Sequence, residues 1–118
     1  MVIVRTLLWY EGFLANHSWA CKLLGTGVLR IREKGAKEFK TAAITGGFID
    51  VKDHIAIFTD AAEWPEEIDI ERQERKLRES KEKLKYTQDD NQIQMAKMSI
   101  AKAINRMNVK GGGIRGNR

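Results

Sequence analysis

The 118-residue chain has one cysteine, one proline and no apolar run longer than four residues. Each scarcity removes a class of answer. Cys21 stands alone, so it forms no intrachain disulfide and implies no redox compartment. Apolar runs this short fall far below the ~20 successive apolar residues of a membrane-spanning helix. The opening Met1-Val-Ile-Val-Arg-Thr-Leu-Leu-Trp-Tyr is interrupted by Arg5, lacks a basic start and has no small-residue cleavage site. It is a poor signal peptide, and a cytoplasmic location is expected. Acidic residues are missing from the last quarter: positions 91–118 hold six Lys/Arg and no Asp/Glu, against eight and seven in 1–65 and seven and nine in 66–90. The net charge of +5 therefore lies at the C-terminal end, where Lys97, Lys102, Arg106, Lys110, Arg115 and Arg118 form an arm that seeks an acidic surface.

What is present is 42% hydrophobic and 31% charged, the balance of a soluble domain rather than a disordered chain. Positions 1–62 read as short antiparallel strands: Val2–Thr6, Gly27–Ile31, Glu38–Ile44, Phe48–Val51 and His54–Thr59, several alternating apolar with polar. Lys34-Gly35-Ala36-Lys37 supplies a turn, Lys52-Asp53 a tight hairpin, and Gly46-Gly47 a kink or bulge. Pro65 with Glu66 and Glu67 suits a first helical turn. A charged helix with a thin stripe of Ile70, Leu77 and Leu84 is expected to run to about Tyr86. Thr87, Asp89 and Asp90 then cap a second, striped by Ile93, Ala96, Ile100, Ala103, Ile104 and Met107. The expected fold class is α+β: a β-sandwich over 1–62, an antiparallel two-helix hairpin over 63–110 and a flexible basic tail over 111–118. Three large residues on the first helix bury little area, so the hairpin should be marginal and able to open.

No catalytic role suggests itself. His17, Cys21 and His54 lack the spacing and fourth ligand of a zinc site and read as turn and packing residues. A Cys–His nucleophile pair has no third orienting group. Gly25-Thr-Gly27 lacks the length and lysine of a phosphate loop. Trp9 and Trp19 are expected to fill the sandwich core, and Trp64 to pack under the hinge to the hairpin.

Several segments in one order carry a resemblance. Ala43-Ile-Thr-Gly-Gly-Phe-Ile-Asp-Val51 and, after a break, Ala62-Glu-Trp-Pro-Glu-Glu-Ile-Asp-Ile-Glu-Arg72 resemble the run of strands and helix opening in the epsilon subunit of the F-type ATP synthase. Thr45 stands where that family usually has Ser. Glu11-Gly-Phe-Leu-Ala-Asn-His17 resembles the family's Gly-Ile-Leu-x-x-His turn, with Trp19-Ala20 in place of Pro-Leu, and Gly27 falls at the family's spacing. Gln88-Asp-Asp and Ala103-Ile-Asn-Arg-Met107 resemble its interhelical corner and helix end, so the likeness spans residues 11–110. Met1–Thr6 resembles an internal strand of the family's sandwich, and a start upstream of Met1 is expected.

The resemblance implies a non-catalytic central-stalk subunit on the cytoplasmic face of the membrane, docked on the gamma subunit and c-ring. Its hairpin would press on an acidic segment of the beta subunit through Lys97, Lys102, Arg106 and Lys110 and so inhibit ATP hydrolysis. No cofactor is required. Regulatory ATP is implied by Ile68, Asp69 and Arg72, which match the family's Ile-Asp-x-x-Arg motif, with Glu63 and Arg106 at matching places. Gln73 replaces an Ala of the ATP-binding members, Lys102 an Arg and Glu79 another Arg, the last exchanging a phosphate partner for a repulsive charge. The plainer reading is that these residues cap and solvate the helix. A small basic nucleic-acid-binding module and an inert truncated remnant are the alternatives. The nine acidic residues of positions 66–90 speak against nucleic acid.

Overall fold

A computed structural model describes residues 1–16 and 18–111. His17 and all of the expected basic tail except Gly111 lie outside the described residues. The chain divides into two compact units, one spanning Met1–Trp64 and the other beginning at Pro65.

The first unit is one antiparallel sheet of six strands: β1 (Val2–Arg5), β2 (Tyr10–Phe13), β3 (Ala20–Ile31), β4 (Lys40–Val51), β5 (Ile55–Phe58) and β6 (Ala62–Glu63). Strand order is β2-β1-β3-β4-β5, and β6 pairs with the first half of β4. The expected strands at 38–44 and 48–51 are one strand, and β3 begins seven residues before the expected Gly27. No bulge shifts the halves of the β3–β4 ribbon: the pairs from Ala20↔Val51 to Leu24↔Gly47 and from Thr26↔Thr45 to Ile31↔Lys40 keep one register, with the ladder interrupted only at Gly25 and Gly46.

What changes along this ribbon is the face turned inward. Between Ile31 and Thr26 the inward pair is Leu29↔Ala42, odd on β3 and even on β4, and Ile44 follows on the same face. Beyond the glycines Leu24 on β3 and Ile49 and Val51 on β4 reach the same core, even on β3 and odd on β4. Side chains alternate along a strand, so one ribbon lines a single core with both its faces only if it turns over. It does so at Gly46 and Gly47, whose φ angles are +106° and +126°. Val2 and Val4 of β1 complete the cluster, with Phe13, Ile55 and Ile57 packed on it. A folded-over ribbon of this kind gives the sandwich arrangement with few strands.

The second unit opens with a 3₁₀ turn at Pro65–Glu67 and continues as α1 (Ile70–Tyr86) and α2 (Asp90–Gly111). The Asp69 side chain accepts from Arg72 N at 3.2 Å, satisfying one of the amides orphaned at the start of α1. Asp89 does the same for Asn91 N at 2.9 Å at the start of α2. Lys110 Nζ donates to the Pro65 carbonyl at 3.0 Å, so the end of α2 returns to the start of α1 and the pair is antiparallel. Ala96 and Ala103 are buried as their stripe requires. Ile104, expected in that stripe, is 42% exposed, because it follows Ala103 by ~100° and lands on the rim. Replacing Asp69 by Ala should destabilise the hairpin by about 1 kcal/mol. Far-UV dichroism on urea titration, compared with Asp69→Asn, which keeps a cap, checks this.

Candidate functional surfaces

Three surfaces carry unusual chemistry: the basic side of α2, the opening of α1, and an apolar tip on the sheet.

From Asn91 onward α2 has no Asp or Glu, which makes it basic, and helical geometry sorts its cations. Lys102, Arg106 and Lys110 recur every four residues and so share one side, whereas Lys97 lies ~140° around the axis from Lys102. Lys102 and Arg106 are half-buried and Lys97 and Lys110 exposed. Three cations thus form a coherent strip, and the fourth stands apart from it. Such a strip can complement a row of carboxylates.

At the opening of α1, Ile68 is 3% exposed and Asp69 is committed to its cap, while Arg72 is exposed. Arg106 lies as many residues beyond Gln88 as Ile70 lies before it, which brings it level with this opening in the antiparallel hairpin. Glu63 sits in β6, opposite Ala43, and belongs to the sheet unit. Four of the five nucleotide-candidate residues therefore share one unit. Two of those four, Ile68 and Asp69, already serve its packing and capping.

The sheet unit carries a surface that sequence reading missed. A tight turn joins β1 to β2, with Thr6 N donating to Trp9 O at 2.8 Å and Trp9 held at φ +141°. The buried Thr6 hydroxyl also donates to Glu11 Oε2, and Lys22 Nζ lies 2.9 Å from Glu11 Oε1. This frame pushes Leu7 and Leu8 outward, to 91% and 79% exposure, above a cleft of about 360 Å³ lined by Leu23, Glu11 and Lys22. Trp9 and Trp19, expected in the core, are 59% and 76% exposed. Trp9 stands on the turn over Arg5, whose guanidinium lies 5.0 Å from its ring. Trp19 precedes β3 with the parity of the exposed Cys21 and Leu23, so it points away from the core. Trp64 keeps 40% of its surface exposed. Contiguous exposed apolar residues mark an interaction surface.

The Glu11 carboxyl titrates below its ordinary value of 4.5, first because the Thr6 hydroxyl donates to it and then because of Lys22. A carboxylate depressed by folding contributes stability above its unfolded pKa, and this is lost as pH falls through the folded pKa. The tip should therefore loosen on acidification below about pH 4.5. Glu11→Gln should flatten the pH dependence of the thermal midpoint in that window and leave its shape near pH 7 unchanged.

Among the described residues no group of three His, Cys, Asp or Glu is placed to hold a metal, and no helix is long and apolar enough to cross a membrane. His17, one of the three residues weighed for zinc, lies outside the described residues.

Comparison with known proteins decides the family. Residues 1–65 match the model of the ATP synthase delta/epsilon chain β-sandwich domain. The chain belongs to the ATP synthase epsilon family. The epsilon chain of Alkaliphilus metalliredigens is 38% identical over 108 residues, covering 91% of this chain and 79% of its own length. That of Bacillus velezensis is 34% identical over 112 residues, covering 94% and 83%. Those alignments run well past residue 65, so the epsilon likeness includes the hairpin. Among solved structures, a chain of the Euglena gracilis mitochondrial ATP synthase, determined with its OSCP, F1 and c-ring parts, superposes with a TM-score of 0.77 at 27% identity. The match covers 88% of this chain and 65% of that one.

Proposed function

We propose that this epsilon chain is a non-catalytic central-stalk subunit of a proton-translocating ATP synthase, held at the cytoplasmic membrane face through the complex alone. In this reading the sheet unit docks on the gamma subunit and the c-ring. The apolar tip of Leu7, Leu8 and Trp9, braced by Thr6 and Glu11, supplies a rigid anchor for such contacts. Rigidity matters because a docking surface that is already ordered loses little entropy on binding.

The hairpin is the regulatory part. Packed together, α1 and α2 bury a narrow seam. Parted, α2 extends its Lys102–Arg106–Lys110 strip towards an acidic segment of the beta subunit and blocks rotation in the direction of ATP hydrolysis. The observation that carries this reading is the aligned strip of Lys102, Arg106 and Lys110 within a stretch, residues 91–118, that holds no Asp or Glu. Nucleotide is a secondary effector in the proposal. Arg106, level with the opening of α1, and Arg72 in its first turn would receive phosphate oxygens. Deleting residues 88–118 from a reconstituted complex should raise ATP hydrolysis several-fold while leaving assembly intact. Unchanged hydrolysis would refute the inhibitory role.

A further inference from the structure

The seam between α1 and α2 is apolar at only some of its positions. On α1 the large residues Ile70, Leu77 and Leu84 recur every seven, and the positions between them on the same side are Gln73 and Ser80. Gln73 is 4% exposed and is the one buried residue of α1, while Ile70, Leu77 and Leu84 are half-buried. Its side-chain carbonyl Oε1 is enclosed without a hydrogen-bond partner among the described residues. Ala103 lies as far beyond Gln88 as Gln73 lies before it, and it is 1% exposed. A methyl group at that level offers no donor. Ser80 and Ala96 repeat the same correspondence nearer the interhelical corner.

We propose that Gln73 is a built-in bias towards the open hairpin. When the helices part, water satisfies the carbonyl oxygen. When they close, that bond is broken and nothing replaces it. An amide enclosed in this way costs far more than an apolar side chain of equal length, because its desolvation goes uncompensated. The consequence is confined to the closed state, so Gln73 sets the equilibrium between the two forms without touching any partner. A single residue of this kind lets the hairpin close reversibly, where a leucine at the same place would hold it shut. The proposal rests on the reading of the hairpin as a two-state unit.

The test uses the full chain with Cys21→Ser and a fluorophore pair at Glu74→Cys and Ala101→Cys, both exposed positions on facing halves of the hairpin. Urea titration, followed by energy transfer between the labels, reads opening directly. Gln73→Met keeps the length and removes the amide, and Gln73→Leu fills the seam. Each should raise the closed-to-open ratio about tenfold and move the opening midpoint to higher urea with an unchanged slope. A midpoint that stays put or falls in Gln73→Met, with helix content retained, overturns the proposal. Absence of any opening transition separate from global unfolding would instead overturn the two-state reading beneath it.

Discussion

Gly47→Ala should leave the sheet unit largely unfolded, with a loss of more than about 4 kcal/mol. Two independent effects combine. Gly47 has φ +126°, a region that residues with a Cβ scarcely enter. A Cβ built there would also overlap the Phe58 carbonyl oxygen and stand 2.8 Å from Phe58 C and 2.9 Å from Thr59 Cα. These are backbone atoms at the end of the neighbouring strand β5, so no rotamer change relieves the clash. The collision lies beside the Phe48↔Phe58 pair, whose rings stack with centroids 4.6 Å apart. Pushing the end of β5 away would break that contact and the turnover that lets one ribbon line the core twice. Gly35 provides the comparison: its φ is +83° and nothing lies within 4 Å of an added Cβ. Gly35→Ala should cost only about 1 kcal/mol. Urea unfolding followed by tryptophan fluorescence separates the two variants, and a loss near 1 kcal/mol at Gly47 would refute the close approach.

That glycine pair also explains where reading the sequence reached its limit. β1 and β5 were legible because alternation and β-branched residues agree there. The helices were legible because heptad spacing, capping aspartates and the acidic-to-basic run pointed the same way. β4 looked like two strands because its inward parity switches across Gly46-Gly47. Glycines that turn a ribbon over look, in sequence, like glycines that end it. The first half of β3 was hidden for a related reason. Cys21 and Leu23, with Trp19 just before the strand, are outward residues, so apolarity fails to mark the buried face. β2 is only Tyr-Glu-Gly-Phe, and such a segment is held by its pairing with Val2–Arg5 rather than by propensity.

The same contrast holds for the functional surfaces. The basic strip follows from composition and spacing, which a sequence displays in full. The burial of Gln73 does not, because an amide among charges reads as exposed until a partner helix of known register is laid beside it. The apolar tip was missed because tryptophan and leucine are ordinarily core residues. Only the Thr6–Trp9 turn, with its bonds to Glu11 and beyond it Lys22, turns them outward.

Reversing the strip, with Lys102→Glu and Arg106→Glu together, should abolish inhibition of hydrolysis in the reconstituted complex. Against an acidic groove each reversal replaces attraction by repulsion, and like charges brought together at an interface cost several kcal/mol. The expected loss of affinity for the inhibited state is therefore at least about a hundredfold. Glutamate is a good helix former, so α2 itself should persist, which circular dichroism of the isolated chain verifies. Salt supplies a second readout. Raising ionic strength shortens the screening length from about 10 Å at 0.1 M to about 3 Å at 1 M. Inhibition by the wild-type chain should weaken across that range, while the reversed variant, having no attraction to screen, should show no such loss. The geometry further orders the single variants: Lys102→Glu should relieve more inhibition than Lys97→Glu, because Lys97 lies on a different side of α2. Equal effects would mean that charge total, rather than an aligned strip, is what the acidic partner reads.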